Sequence, residues 1–165
     1  MYKSIYIDKY ILIIYLYFIN EYNLMSNEFE IWSNFWKYYK SYDDSDYRKI
    51  LDKLMYNKDN FFVYLYGKHD LMGKSWCPYC AQAEPFIKDA KTIVAKNEKT
   101  KETYFISITI NQERKYVLMQ DNIIKLHKLP LLMYFENGKE KRRISALEMT
   151  TQCTVIDFVN KCYQK

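Results

Sequence analysis

One junction constrains this chain more than any other feature. An unbroken β-forming run, Phe61–Tyr66 (FFVYLY), is followed by the loop Gly67–Trp76 and then by Cys77-Pro78-Tyr79-Cys80 at the head of a helical pattern. A short continuous run of aromatic and branched residues reads as a strand buried on both faces. The helix expected from Pro78 to about Ala95 offers Ala81, Ala83, Phe86, Ile87 and Ile93 as inner residues. Pro85 removes one of its hydrogen bonds and should kink it unless the packing absorbs the loss.

The flanking patterns complete an architecture. Thr103–Ile110 (TYFISITI) alternates and is rich in β-branched residues, which predicts a second strand. A helix is expected over Arg114–Leu126 and a third strand over Leu131–Glu136, and Asn137-Gly138 is a strong hairpin signal. Lys139–Ser145 then returns as a charged edge strand, and an amphipathic helix over Leu147–Tyr163 rests on Val155, Ile156, Phe158 and Val159. Upstream, Phe29, Trp32, Phe35, Trp36 and Tyr39 fall at helical spacing, Ser41–Asp46 breaks that helix, and a short helix near Asp46–Tyr56 faces Ile50, Leu51, Leu54 and Met55 inward. The expected class is an α/β sandwich, a central mixed sheet flanked by helices, over residues 26–165.

A Cys-x-x-Cys pair serves metal sites as well as redox sites, and position separates the two. Here the first cysteine opens a helix, where unpaired N–H groups and the helix dipole favour negative charge. Cys77 is therefore the expected nucleophile, as a thiolate, and Cys80, one turn on, the resolving thiol. Pro78 in the first turn costs no hydrogen bond. Trp76 offers a flat apolar wall for substrate or simple packing. Leu129-Pro130, before the third strand, reads either as an ordinary strand-initiating proline or as a cis bond that would bring the Leu129 backbone beside the cysteines, where an extended substrate can pair with it. A zinc site needs four ligands, yet a second Cys-x-x-Cys is missing and His69 and His127 are isolated, so no metal and no organic cofactor is expected.

Other features exclude more than they assign. Net charge is +5, from 25 basic and 20 acidic side chains mixed along the chain, and the densest cluster, Lys139 to Arg143, reads as protective charge on an edge strand rather than a nucleic-acid surface. Cys153 and Cys162 lie nine residues apart in one helix, on opposite faces, and cannot pair there. Residues 1–25 form an apolar N-terminal segment whose run Tyr10–Ile19 is short for a membrane span. Three readings of it stand: a secretory signal, an extension packed on the fold, or a start codon placed too early.

The stretches GKHDLMGKSWCPYCAQAEPFI (Gly67–Ile87) and LPLLMYFENGK (Leu129–Lys139) resemble the thioredoxin superfamily, in particular the branch of thioredoxin domain-containing protein 17, the thioredoxin-related 14-kDa proteins. The resemblance covers roughly the last two-thirds of the chain. It implies a thioredoxin-like fold and a cytoplasmic disulfide reductase. Such an enzyme draws electrons from a thioredoxin-reductase-like donor and acts on small disulfides such as cystine or on selected proteins. By position, Cys77 matches the nucleophile, Cys80 the resolving thiol, Pro130 the cis-proline and Asp70 an acidic loop residue, for which a turn-forming role is an equal reading. The branch usually carries Asp where this chain has Tyr79. An uncharged neighbour favours the thiolate, and Cys-Pro-Tyr-Cys is the glutaredoxin dipeptide. Glutaredoxins usually follow their proline strand with paired glycines, whereas this chain has Gly138-Lys139-Glu140-Lys141. A glutaredoxin-like or secretory-pathway oxidoreductase is thus one alternative, and a thioredoxin-fold binding or scaffold module is the non-enzymatic one.

Overall fold

Strand β2, Asn60–Gly67, is the central rail of the molecule. In a computed structural model that describes residues 39–43, 46–96 and 103–163, it runs parallel to β3, Thr103–Ile110, and antiparallel to β4, Leu131–Glu136. Strand β5, Lys139–Ser145, pairs antiparallel with β4, and β1, Tyr39–Asp43, pairs parallel with β3. The strand order is β1-β3-β2-β4-β5. Helices α1 (Tyr47–Tyr56), α2 (Pro78–Lys96), the single-turn α3 (Lys115–Met119) and α4 (Gln152–Tyr163) complete it. All these elements belong to one unit, Tyr38–Lys165.

Alternation along β2 sorts the core into two faces, because successive side chains of a strand point to opposite sides. Phe61, Val63 and Leu65 face one way. With Ile106, Ile108 and Ile110 of β3 they meet Tyr47, Leu51 and Leu54 of α1, and this same cluster contains Cys77 and Cys80. Phe62 faces the other way, its ring centroid 5.6 Å from Phe105, 4.8 Å from Tyr134 and 6.4 Å from Phe158 of α4. Helices α2 and α4 pack together, and the Lys91 ammonium lies over the Phe105 ring, 5.2 Å from its centroid. Burial pulls the Lys91 ammonium below its ordinary range, with nearby Glu84 opposing.

Most expected elements are present, and the differences have physical causes. The three strands after Cys80 coincide with the sequence reading, and Asn137 and Gly138 take φ of 52° and 72°, the mirror-image turn that matches strand twist. A side chain at Gly138 would run into the Met55 backbone, so glycine is required there for space as well as for φ. Helix α2 runs unbroken through Pro85, with Ala90 and Val94 buried, while Ala81 is exposed rather than inner. The polar stretch expected to break a helix at Ser41–Asp46 instead contributes to β1. Pairing with β3 supplies its backbone partners where its own composition is a poor strand signal. The expected N-terminal segment and the aromatic stripe from Phe29 to Trp36 lie outside the described residues. Among those described, no helix is long and apolar enough to cross a membrane.

The helix expected over Arg114–Leu126 is not formed as such. A 3-10 turn, Gln112–Arg114, leads into α3, and the chain then leaves helical geometry around Asp121. The Asp121 carboxylate explains the departure: Oδ1 accepts the Ile123 and Ile124 N–H groups, both at 2.8 Å, and so competes with a helical ladder. Its Oδ2 accepts from Tyr47 Oη at 2.7 Å and Arg48 Nη1 at 2.9 Å, fastening this segment to α1. Likewise α4 begins at Gln152 rather than Leu147, because Glu148 accepts the Ser145 N–H in a turn and Thr151 caps the helix through the Thr154 N–H.

Burial alone would push the Asp121 carboxyl up, but these hydrogen bonds and the Arg48 charge outweigh it and hold the group below its usual range. Burial, then the bond to Asp121, pushes Tyr47 up to about 12. A depressed folded-state pKa contributes stability above the unfolded value of 3.8, stability that is lost as pH falls through the lower, folded value. An Asp121→Asn protein should lose about 2–3 kcal/mol in urea unfolding at neutral pH, the scale of a hydrogen bond to a charged group. Its stability should also fall less steeply than the parent's as the pH drops below 4. Equal stability of the two proteins at neutral pH would refute this role for the carboxylate.

Candidate active site

The site is assembled where β2 ends. Cys77 immediately precedes α2, and its carbonyl accepts the N–H groups of Cys80 at 3.0 Å and Ala81 at 3.2 Å. The Cys80 N–H also lies 3.3 Å from the Cys77 sulfur, the arrangement of a helix cap with sulfur in place of oxygen. The two cysteines are paired as a disulfide with Cα atoms 5.3 Å apart, so the pair closes without backbone rearrangement. Both residues are buried, Cys77 with 5% and Cys80 with 2% of its surface exposed.

Backbone groups from two other segments converge on the pair. The Gly67 N–H points at the Cys80 sulfur at 3.3 Å. A side chain at Gly67 would lie 2.8 Å from Cys77 Cβ and 3.0 Å from the Trp76 ring, so glycine is what lets strand and cysteine loop approach this closely. Ser75 ties the two together: its hydroxyl donates to the Gly67 carbonyl at 2.9 Å and accepts the Cys77 N–H at 3.2 Å. From the opposite side, the Leu129 carbonyl lies 3.6 Å from the Cys77 sulfur, and the Leu129-Pro130 peptide bond is cis.

Trp76 is held by its indole N–H, which donates to the Ile110 carbonyl at 3.0 Å. Pro78 is the first residue of α2, and Tyr79 is half exposed beside the pair. Asp70 spends its carboxylate on the loop backbone rather than on the cysteines. Its Oδ1 accepts the Met72 and Lys74 N–H groups, both at 2.9 Å, which makes it the turn-former of the loop and leaves Leu71 and Met72 fully exposed at the tip. Beneath the tip, His69 and Ser75 form a β-bridge, and His69 Nε2 lies 3.3 Å from Glu84 Oε2 on α2.

Gly67 and Ser75 are the residues that sequence reasoning passed over. Their signals are slight: a glycine at the end of a buried strand, and a serine two positions before a cysteine, where a hydroxyl can take the i+2 N–H. The remaining cysteines differ from the pair. Cys153 is exposed, and burial pushes the Cys162 thiol up to about 12, which favours its protonated form.

Residues 40–162 match the family described as thioredoxin domain-containing protein 17-like, thioredoxin domain. The chain belongs to this family. It is 47% identical over 34 residues to human thioredoxin domain-containing protein 17, which is 21% of this chain and 28% of that protein. Against the mouse protein of the same name the identity is 54% over 28 residues, 17% of this chain and 23% of that one. The aligned segments thus span about a quarter of the curated relatives. Among solved structures, thioredoxin O2 from Arabidopsis thaliana in the oxidised state superposes with a TM-score of 0.55 at 13% identity, covering 77% of this chain and 96% of that one. Human ERp44 gives 0.51 at 17% identity, covering 76% of this chain and 33% of that one. These likenesses show the thioredoxin fold. A thioredoxin domain-containing protein 17-like domain with a disulfide-capable cysteine pair supports thiol–disulfide exchange as the general chemistry of the site.

Proposed function

We propose that the protein is a disulfide reductase in which Cys77 attacks the substrate and Cys80 resolves the intermediate. One observation carries this reading above the rest: the Cys77 sulfur caps α2 against the Cys80 N–H, where a developing thiolate is stabilised, with the second sulfur in bonding reach. The Cys77 thiolate attacks one sulfur of a disulfide R–S–S–R′. A Cys77–S–S–R bond forms, the S–S′ bond breaks, and R′S⁻ leaves and takes a proton from solvent. Cys80, as thiolate, then attacks the Cys77 sulfur, releases RS⁻ and leaves the Cys77–Cys80 disulfide. Two electrons from an external donor restore the dithiol.

The Leu129 carbonyl beside the attacking sulfur supports binding of an extended substrate segment, whose N–H it can accept. The family supports small or selected protein disulfides as substrates, a thioredoxin-reductase-like donor, and a cytoplasmic setting. Tyr79 in place of a carboxylate supports a second donor, glutathione, because it removes a charge that would repel both the thiolate and an anionic thiol. The full chain, supplied with a small disulfide, should turn it over with NADPH and thioredoxin reductase at least about tenfold faster than with glutathione and glutathione reductase, a difference of about 1.4 kcal/mol in activation free energy. The reverse ratio replaces the donor. Turnover with neither refutes the reductase reading.

A further inference from the structure

The sheet ends unevenly at the cysteine pair. Pairing of β2 with β4 runs from Phe61 to Leu65 and stops at the Leu65–Leu131 rung. On its other side β2 stays paired with β3 as far as Gly67, and the Lys68 N–H still reaches the Ile110 carbonyl at 3.0 Å. Successive residues of a strand turn their backbone groups to opposite edges, so Gly67 presents both its N–H and its carbonyl to the side that β4 has left. The cysteine segment fills that place. Ser75 Oγ donates to the Gly67 carbonyl at 2.9 Å, and the Gly67 N–H donates to the Cys80 sulfur at 3.3 Å. Leu129, which the same register would set opposite Gly67, turns its carbonyl to the Cys77 sulfur instead.

Resolution needs Cys80 as a thiolate, and burial opposes that, because at 2% exposure the charged form has lost its water. Cys162 shows the size of the penalty: burial there outweighs the Arg142 charge and pushes the thiol up to about 12. The buried polar side chains among the described residues are Ser75, Thr103 and Ser107, so no buried carboxylate stands ready to take the Cys80 proton. The other titratable groups in or against the cluster are Cys77, Tyr47, Tyr66 and Tyr104. Asp121 meets the cluster at Tyr47, and Glu84, one turn along α2 from Cys80, is bound to His69. Lys68, Asp70, Lys74, His127 and Lys128 are exposed on the two flanking loops. A hydrogen bond to the charged form of a thiol offsets its loss of water, and the Gly67 N–H supplies one.

We infer that the Gly67 N–H holds the Cys80 thiolate for the resolving attack, and that Ser75 is the positioning residue that keeps it aimed there. This rests on the reductase reading and adds to it the group that readies the second thiol. Once a substrate half is held as Cys77–S–S–R, Cys80 gives its proton to solvent and attacks the Cys77 sulfur as thiolate. The Cys77–Cys80 bond forms, the bond to the sulfur of R breaks, and RS⁻ leaves with the electron pair and takes up a proton.

The test mixes the reduced full chain, carrying Cys153→Ser to silence the exposed thiol, with dithionitrobenzoate and follows release of the coloured thiolate. Attack by Cys77 releases the first equivalent in a phase that depends on probe concentration, and resolution by Cys80 releases the second in a phase that does not. In the parent, the second phase should rise with pH and level off with a midpoint at or below about 8.5, the ordinary thiol value, in spite of burial. A second phase still climbing tenfold per unit at about pH 10 overturns the inference without any variant. Ser75→Ala should move that midpoint up by about one unit and slow resolution about threefold at neutral pH, since tenfold less thiolate is partly offset by its greater nucleophilicity. The plateau at high pH should be no lower than the parent's. Ser75→Thr keeps the hydroxyl and should restore the parent midpoint; a folded Thr protein that behaves as the Ala protein does overturns the role of the hydroxyl. Slowing by one factor at every pH, or an equal shift in the first phase, makes Ser75 a general brace and also overturns it. Two equivalents released with an unmoved midpoint defeat this inference alone, whereas release of none defeats the reductase reading and the inference with it.

Discussion

A Cys77→Ser protein should fold as the parent does and lose at least about 10³-fold in disulfide turnover, because a serine hydroxyl is almost wholly protonated at neutral pH and is a poor nucleophile toward sulfur. The substitution is conservative at this place. Oxygen caps a helix as readily as sulfur, so the contact with the Cys80 N–H survives, and the Cβ that faces Gly67 is unchanged. Thermal unfolding of the reduced proteins, compared with a coupled NADPH assay, separates lost chemistry from lost structure. Turnover within tenfold of the parent would remove Cys77 from the reaction and leave a thioredoxin-fold binding module as the surviving reading.

Cys80→Ser produces an effect as large and different in kind. The first attack needs only Cys77, so the variant should still react once with a disulfide and then stall as a covalent mixed disulfide, with multiple turnover reduced by at least about 10³-fold in the absence of added thiol. Intact-mass measurement after incubation with hydroxyethyl disulfide should show one half of the probe attached, at close to one per protein, and dithiothreitol should release it. Neither Cys153 nor Cys162 can stand in for the missing thiol, since both lie on α4, outside the cluster that holds the pair. Rapid spontaneous release, or adduct on Cys153 instead of Cys77, would contradict the assigned order of events.

Much of this was legible in the chain because the signals are local. FFVYLY, TYFISITI and LLMYFE carry enough branched and aromatic residues to pair in any sheet, and Asn137-Gly138 sets the one turn that a two-residue hairpin favours. The same holds for the placement of the cysteines where a helix starts. What escaped depends on partners distant in sequence. The YKSYD of β1 is a strand because β3 offers it an edge. The helix foreseen up to Leu126 stops short because Asp121 finds Tyr47 and Arg48, 74 and 73 residues away. That Trp76, next to Cys77, reaches the Ile110 carbonyl at the end of β3 is likewise a contact that no local pattern announces.

The loop between β2 and the cysteines is closed off at its base before it reaches its tip. The Lys68 N–H is bound to the Ile110 carbonyl, His69 bridges Ser75, and Asp70 and Lys74 exchange a further backbone bond above them. Everything beyond that last rung, residues 71 to 73, is mechanically insulated from the sulfur. Substitutions at those three positions should therefore alter the approach to the pair while the cap, the serine tie and the glycine contact beneath stay in register.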